Sequence, residues 1–181
     1  ILGSASSKTA FGLAFMLHRR GGKKVVGLTS QSNKDFVEKL GIYDEVLCYD
    51  EVENLADEPS AYIDMAGNKE VLARVHHHLR ENLVNSCSVG ITHWDARQGE
   101  DPTSLPGASP TMFFAPSQIV KRNKELGPEV YQQRITQATD AFFAVVDNWV
   151  SIQEAPLNEV EQVYRTVLKG PAPNIGYIVT S

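Results

Sequence analysis

Short apolar runs alternate with longer segments of helical period along most of this chain. The runs that predict strands cover residues 1–3, 25–28, 45–49, 61–64, 83–89 and 111–114. The first predicted helix ends at the glycine pair 21–22, and its apolar positions are Ala10, Leu13, Ala14 and Leu17. This alternation is typical of βαβ units and of a parallel sheet. We therefore expect an α/β protein with a Rossmann-type, doubly wound parallel sheet in three layers.

Further helices are predicted on both sides of a loop. Residues 34–40 and 69–79 form crossover helices, with apolar positions Phe36, Val37 and Leu40 in one and Val71, Leu72, Val75 and Leu79 in the other. Residues 95–110 are rich in Gly, Pro and Ser and predict an exposed loop. Two long helical stretches then meet at Gly127-Pro128, and a last helix has one apolar face: Leu157, Val160, Val163, Tyr164 and Val167. We expect one domain over residues 1–181, with a βαβ core over 1–115 and C-terminal helices and an edge strand over 116–181.

Composition and charge narrow the function classes. The 181 residues carry a net charge of -5 that is spread along the chain, with no basic stripe to neutralise a nucleic acid backbone. No apolar run reaches the ~20 residues that a membrane span needs. Cys48 and Cys87 lie in apolar runs without a CxxC spacing, which favours a reducing, cytoplasmic environment. We expect neither a nucleic acid nor a membrane as partner.

The opening stretch ILGSASSKTAFG lies near two glycine patterns that bind phosphates. In a P-loop, G-x-x-x-x-G-K-[ST], a long loop wraps the phosphates and the lysine reaches the terminal ones. Here Gly3 is followed by four residues and then Lys8-Thr9, so the loop is one residue short and Ser7 takes the place of the second glycine. Asp64 at a strand end would be the magnesium-holding acid. A P-loop phosphotransferase stays as one alternative.

The dinucleotide fingerprint G-x-G-x-x-G is the second pattern, with its glycines relaxed to small residues. Gly3 would supply the tight turn, Ala5 and Ser6 would allow close approach, and Ala10 or Gly12 would permit helix packing. A helix N-terminus with several hydroxyls favours an anion. Those hydroxyls belong to Ser4, Ser6, Ser7 and Thr9. A serine-rich turn is also an ordinary helix N-cap, so this alternative stays open.

The second predicted strand ends without an acid. NAD-preferring sites carry Asp or Glu about 20 residues after the glycines, where it accepts hydrogen bonds from the ribose hydroxyls. This strand ends in Thr29, Ser30, Ser32, Asn33 and Lys34, with no acid before Asp35. Hydroxyls and a lysine would accept a 2'-phosphate that a carboxylate would repel. The sequence therefore predicts NADP(H) over NAD(H), against the alternative of a solvated polar loop.

These segments together resemble a known family. The order SASSKTAFGLAFML, KKVVGLTSQSNKDFVEKLGIYDEVLCYD and YIDMAGNKEVLARVHHHL is similar to the nucleotide-binding half of the medium-chain dehydrogenase/reductase superfamily. It looks most like the zinc-independent quinone- and enone-reductase branch, in a group with A-S-S-K-T-A at the first turn. The likeness covers residues 1 to about 114, and the ending FFAPSQIVKR with GYIVTS is also similar.

The resemblance implies positions for the cofactor. The pyrophosphate would lie on Ser4, Ser6, Ser7, Lys8 and Thr9, and the 2'-phosphate would meet Ser30, Asn33 and Lys34. Ala66 and Gly67, in a D-x-x-G-like turn, would border the cofactor ribose, while Val89 and Gly90 would approach the nicotinamide. The superfamily also has a GroES-like substrate domain before the nucleotide domain, so we expect that domain to be missing from this chain.

No residue is assigned a catalytic role or a metal from sequence. Consecutive histidines such as 76–78 point about 100° apart on a helix and cannot converge on one ion. Cys87 is expected to pack in a strand, and His93 and Trp94 are expected in a loop near the sheet end. A structural role is assigned to Tyr43 and Asp44.

The function expected is that of an NADP(H)-binding domain of a zinc-independent oxidoreductase, acting on a small-molecule quinone or enone. Non-catalytic NADP(H) binding is the alternative, and a phosphotransferase is a further one. The strand at 111–114 would allow a homodimer by edge-to-edge pairing.

Overall fold

The computed structural model describes residues 1–90 and 104–181. Strands and helices alternate as the pattern predicts, and β1 to β5 agree with predicted strands to within two residues at each end. The elements in chain order are α1 (Lys8–Arg20), β1 (Val26–Thr29), α2 (Lys34–Lys39), β2 (Glu45–Cys48), β3 (Ser60–Asp64), α3 (Lys69–Leu79), β4 (Leu83–Ser88), β5 (Pro110–Met112), α4 (Ala115–Leu126), α5 (Pro128–Val146), β6 (Ser151–Pro156), α6 (Val160–Leu168) and β7 (Ile175–Thr180). Short 3₁₀ segments cover Gln31–Asn33, Tyr49–Asn54, Arg80–Asn82 and Leu157–Glu159.

The first residues of the chain lie in the middle of a parallel sheet. Leu2 forms parallel bridges to Gly27 of β1 and to Ile63 of β3. β1 pairs with β2 on its other side, and β3, β4 and β5 continue the sheet beyond the N-terminal segment. The order is therefore β2, β1, N-terminal segment, β3, β4, β5. This is the strand order of a Rossmann fold, and the chain reverses direction across the sheet at the N-terminal segment. The α/β fold class expected from the sequence is confirmed.

The core of this sheet and its helices is apolar and closely packed. Its members are Val26, Leu28, Leu47, Val52, Leu55, Tyr62, Val71, Leu72, Val75, Leu79, Leu83 and Leu105. α3 begins and ends where its pattern predicts, with Asn68 accepting hydrogen bonds from the backbone N–H groups of Glu70 and Val71. On α1 the buried stripe differs from the expectation, because Phe11 and Phe15 are buried beside Ala10 and Ala14. Leu13 and Leu17 are only half-buried.

The expectation of an exposed loop over residues 95–110 holds only in part where the structure describes it, because Ser104, Gly107 and Ser109 are exposed while the residues between them contact the core. Leu105 is buried in the core, and the N–H of Ala108 donates to the carbonyl of Leu83 at 2.9 Å. Gly107 has φ +80°, and a Cβ there would lie 2.3 Å from the carbonyl oxygen of Arg80. Gly and Pro therefore mark a tight turn that is packed against the core at Leu105. Residues 95–103, with the predicted positions of His93 and Trp94, lie outside the described part.

His76 connects this turn to the sheet by hydrogen bonds, a role that the sequence analysis did not predict. Its ring is fully buried, with Nδ1 2.8 Å from the carbonyl oxygen of Pro106 and Nε2 2.9 Å from Oγ of Ser86. Since a carbonyl only accepts, Nδ1 carries the proton and Nε2 accepts from the Ser86 hydroxyl. Burial lowers the pKa of His76, and the charge of His77 lowers it further. The neutral ring is therefore the folded form.

Acidification is expected to destabilise the fold through His76. The pKa of His76 is lower in the folded than in the unfolded state. The stability that the neutral ring contributes is therefore fully present above the unfolded-state pKa of about 6.5, and it is lost as the pH falls below that pKa. The free energy of unfolding should fall by at most about 1.4 kcal/mol per pH unit from this group. Urea unfolding of the wild type and of His76→Gln between neutral and mildly acidic pH measures it. His18→Gln, at an exposed position on α1, is the control. An equal pH dependence in all three proteins would contradict the assignment.

The remaining residues, 135–181, form a second compact unit. β6 and β7 pair in parallel and α6 connects them, which makes one further βαβ unit. β6 was not predicted, because SIQEAP has few apolar residues and its strand is largely exposed. The break at Gly127-Pro128 and the strand at the C-terminus are confirmed. The apolar positions of α6 lie on one face as predicted, but Val160, Tyr164 and Val167 are exposed.

None of the helices in the described residues is long and apolar enough to cross a membrane.

Candidate nucleotide-binding site

The first turn leads from the N-terminal strand segment into the positive end of α1. Ser4 has φ +53°, a left-handed conformation that is uncommon for a residue with a side chain. The N–H of Ser7 donates to the carbonyl of Ser4 at 2.8 Å. Ser7 is the N-cap of α1, and its hydroxyl accepts from the N–H of Ala10 at 3.3 Å. Lys8 and Thr9 follow on the first helical turn and are exposed to solvent.

Two tyrosines hold this turn in place, a signal that was missed in the sequence. The hydroxyl of Tyr43 donates to the carbonyl of Ala5 at 2.9 Å. Tyr49 is hydrogen-bonded to Ser4, and burial raises the pKa of Tyr49 although the bonds to Ser4 act in the opposite direction. Burial also raises the pKa of Tyr43. Both phenols therefore stay protonated at neutral pH. Tyr43 supports the turn as a hydrogen-bond donor, and Tyr49 supports it through its hydrogen bonds with Ser4.

The small residues of the turn let it pack closely against the sheet. Ala5 is fully buried, and a Cβ at Gly27 would lie 2.9 Å from the Cβ of Ala5. A Cβ at Gly3 would lie 2.6 Å from the hydroxyl of the buried Tyr62. The small side chain of Ala5 packs against the neighbouring strand β1, and the close approach of a ligand to Ala5 stays a prediction. Gly3 and Gly27 let the backbone of the turn lie close to the sheet.

The loop after β1 lies directly beside the first turn. Nδ2 of Asn33 donates to Oγ of Ser6 at 3.1 Å, so a predicted 2'-phosphate residue contacts a predicted pyrophosphate residue. Oγ of Ser30 lies 3.0 Å from Oγ of Ser32. Thr29, the last residue of β1, is fully buried, and its hydroxyl has no hydrogen-bond partner among the described residues. The end of β1 is polar and carries hydroxyls where an NAD-type site would carry an acid.

Lys34 has an acidic neighbour that the sequence analysis did not identify. Its ammonium lies 3.1 Å from Oε2 of Glu51, in the 3₁₀ segment after β2. The same Oε2 accepts from the N–H of Cys48 at 2.8 Å. The bond with the Cys48 backbone and the lysine hold the pKa of Glu51 below its usual range, and Glu51 raises the pKa of Lys34. Both groups are therefore charged at neutral pH.

The turn after β3 is organised by Asp64. This carboxylate is buried, and its Oδ1 accepts from the N–H groups of Ala66 at 3.0 Å and Gly67 at 2.9 Å. Gly67 has φ +73°, which favours glycine. Asp64 thus shapes the turn that carries the two predicted ribose neighbours. The carboxylate of a P-loop protein would instead face a magnesium ion.

The turn after β4 lies against the turn after β3. The N–H of Val89 donates to the carbonyl of Asp64 at 2.8 Å. A Cβ at Gly90 would lie only 2.3 Å from the carbonyl oxygen of Met65. Gly90 is therefore required by backbone packing as well as being a predicted nicotinamide neighbour.

All these segments follow parallel strands at their C-terminal ends, so they share one edge of the sheet. Ser4, Ser6 and Ser7 follow the N-terminal segment, Ser30, Asn33 and Lys34 follow β1, Ala66 and Gly67 follow β3, and Val89 and Gly90 follow β4. Ligands of open α/β sheets bind at this edge, where the strand order reverses. The predicted cofactor residues therefore share the edge of the sheet at which ligands of this class of α/β fold bind.

Comparison with known sequences gives the family. Its model, described as "Protein of unknown function (DUF2855)", matches residues 1–173, and the chain belongs to this family. A search of the curated proteins found no significant match.

Several solved structures share the fold. The yhdH oxidoreductase from Salmonella enterica, in complex with NADP, has 16% identity and a TM-score of 0.61, with 99% of this chain and 53% of that chain covered. CurA from Vibrio vulnificus, in complex with NADPH, has 15% identity and a TM-score of 0.63, covering 99% and 56%. Bacillus subtilis protein yhfP with NAD bound has 17% identity and a TM-score of 0.55, covering 99% and 53%. This chain spans about half the length of these proteins.

Proposed function

We propose that the chain is the NADP(H)-binding domain of an oxidoreductase. The observation that carries the proposal is the position of the first turn, at the point where the strand order reverses and at the N-terminus of α1. A pyrophosphate fits there because helix N-termini and hydroxyls bind anions. The structural relatives that hold NADP or NADPH over the same fold support this choice.

The residues after β1 fit a 2'-phosphate. Ser30 and Ser32 offer hydroxyls, Asn33 offers an amide that already reaches Ser6, and Lys34 offers a positive charge. β1 ends in Thr29 and Ser30 follows it, so no acid at the end of this strand would repel the phosphate. Glu51 is the one nearby carboxylate among the contacts of Lys34 that the structure describes.

The chain's residues would bind and orient the cofactor rather than react. Ser4, Ser6, Ser7, Lys8 and Thr9 would hold the pyrophosphate, and Ala66 and Gly67 would border the ribose. Val89 and Gly90 would form the wall behind the nicotinamide, where the tight backbone contact with Met65 leaves no room for a larger residue. NADPH, when bound, supplies a hydride to the substrate. We assign no catalytic residue.

The further parts of the proposal rest on the family resemblance. The first turn ASSKTA favours the zinc-independent quinone- and enone-reductase branch, with a GroES-like substrate domain in addition to the residues described. The small-molecule substrate would be a quinone or an activated double bond. The two cysteines are free thiols, in keeping with the cytoplasm.

A homodimer through β5 is part of the same proposal. β5 lies at the end of the sheet order, and in the described part of the chain no strand pairs with its outer edge. The neighbouring side chains Met112, Phe113 and Phe114 are exposed and apolar. Pairing of this edge with a second copy would cover them.

Titration of the protein with NADPH, NADH and Mg-ATP tests the function. NADPH should bind most tightly, seen as a change in nicotinamide fluorescence and a rise in Tm. A response to Mg-ATP alone would favour the phosphotransferase. No response to any of the three ligands would mean that the first turn acts only as the N-cap of α1. Turnover with quinone and enone acceptors separates an oxidoreductase from a non-catalytic binding module.

Ser30→Asp should reverse the cofactor preference. A carboxylate at the end of β1 would repel a 2'-phosphate and could accept from ribose hydroxyls. We expect the Kd for NADPH to rise by about tenfold or more while that for NADH stays within about twofold. Ser30→Asn has nearly the same shape without the charge and is the matched control. An equal loss for NADPH and NADH would remove the 2'-phosphate from this loop.

A further inference from the structure

Lys34 and Glu51 link two neighbouring loops at the carboxyl edge of the sheet. Lys34 begins α2, after the loop that follows β1, and Glu51 lies in the 3₁₀ segment that follows β2. Because β1 and β2 pair in parallel, these loops lie side by side. The ammonium and the carboxylate are 3.1 Å apart, and their side chains are only 24% and 36% exposed.

Glu51 is held in place independently of Lys34. Its Oε2 accepts from the backbone N–H of Cys48 at 2.8 Å, so the carboxylate would stay at this position if Lys34 moved. Glu38 also acts on Lys34 through its charge. The charge on Lys34 is thus neutralised before any ligand arrives.

The pair creates a conflict for a cofactor phosphate. A 2'-phosphate in the loop after β1 would gain from Lys34 but would lie near the carboxylate that Lys34 neutralises. A ribose without the phosphate meets no such repulsion, and a carboxylate can accept from its hydroxyls. Glu51 therefore opposes the selectivity that Ser30, Asn33 and Lys34 favour.

We propose that Glu51 is a specificity-determining residue that competes with the cofactor 2'-phosphate for Lys34 and so limits the preference for NADPH over NADH. The inference rests on the proposed NADP(H)-binding function. In an NAD-type site an acid at the end of β1 disfavours the 2'-phosphate. β1 has no such acid here, and Glu51 takes that role from the segment that follows β2.

Glu51→Gln tests the inference directly. Glutamine keeps an oxygen that can accept from the Cys48 N–H but has no charge. We expect the Kd for NADPH to fall by about two- to fivefold, the size typical of an exposed charge interaction, and the Kd for NADH to stay the same or rise. The affinity for NADPH should also become more sensitive to ionic strength, because Lys34 then faces the phosphate without a partner.

Glu53→Gln is the matched control. Glu53 lies in the same 3₁₀ segment and pairs with Arg74 instead of Lys34. Replacing it with glutamine therefore removes the same charge without releasing Lys34. Its effect on NADPH should be smaller than that of Glu51→Gln. In a Lys34→Gln background the gain from Glu51→Gln should shrink, since there is no ammonium left to release.

Two outcomes would overturn the inference while leaving the function intact. If the wild type binds NADPH and Glu51→Gln weakens it as much as Lys34→Gln does, Glu51 positions Lys34 for the phosphate instead of competing for it. If Glu51→Gln changes the Kd for neither NADPH nor NADH, the pair of Lys34 and Glu51 lies outside the binding site. Failure of the wild type to bind either dinucleotide would overturn the proposed function and the inference with it. Tm values of all variants, measured without cofactor, separate binding effects from misfolding.

Discussion

Gly90→Ala is expected to lower the free energy of unfolding by about 2–3 kcal/mol, the upper range for overpacking a well-packed site. A Cβ at this position would lie 2.3 Å from the carbonyl oxygen of Met65. Both partners are backbone atoms in turns that follow adjacent parallel strands, and the Val89 N–H is bonded to the Asp64 carbonyl next to them. No side chain can rotate away, so the two turns must separate. Urea unfolding measures the loss.

The same substitution should weaken the affinity for NADPH by about tenfold or more, because it moves the backbone that is proposed to lie behind the nicotinamide. Gly176→Ala is the control. Its Cβ would lie 2.9 Å from Cδ1 of Ile152, the tip of a side chain that is 53% exposed and can move. We expect it to cost less than about 1 kcal/mol. Similar losses of stability for the two variants would mean that the Gly90 contact relaxes easily.

Asp64→Ala is expected to destabilise the protein by about 2–4 kcal/mol, because it removes the acceptor of two hydrogen bonds and leaves buried N–H groups unsatisfied. The oxygen involved is Oδ1, at 3.0 and 2.9 Å from the N atoms of Ala66 and Gly67. Asp64→Asn keeps an oxygen at this place and should cost less. Thermal and urea unfolding of both variants measure the difference.

The asparagine variant also distinguishes the proposed site from the P-loop alternative. If Asp64 only shapes the turn, Asp64→Asn should retain NADPH binding. If it held a magnesium ion, the same variant would abolish any Mg-ATP response. Asp57→Ala is the control, since this exposed carboxylate accepts from the side chain of Asn82 at 2.7 Å. A loss in Asp64→Ala no larger than in Asp57→Ala would contradict the role given to the turn.

The parts of the fold that could be predicted are those with a local signal. α3 has a capping asparagine and a clear apolar period, and its bounds agree with the structure at both ends. Residues 25–28 are a continuous apolar run that predicted β1, and all four residues of this strand are buried. The segment at residues 104–110 gave the opposite impression, because glycine and proline mark tight packed turns as well as solvated loops. The bond from His76 to Pro106 and the burial of Leu105 show that this segment is packed against the core.

In the candidate site, too, the features with a local signal could be predicted and the contacts between distant segments could not. The residue types of the first turn and of the loop after β1 could be identified as phosphate-binding from the sequence, and whether they bind stays a prediction. Glu51 could not be found in this way, since it lies 17 residues from Lys34 and belongs to another loop. Tyr43 and Tyr49 support the first turn from across the sheet.

The sequence alone determined the α/β class, the order of the crossover helices and the polar character of the loops, because these depend on periodicity and on residue types near one another. Tertiary structure decided the rest. The parallel pairing of Leu2 with both β1 and β3 fixes where the strand order reverses, and only then do loops far apart in sequence share one edge of the sheet. That edge brings Asn33 to Ser6 and Glu51 to Lys34, and such contacts depend on which strands are neighbours rather than on any local pattern.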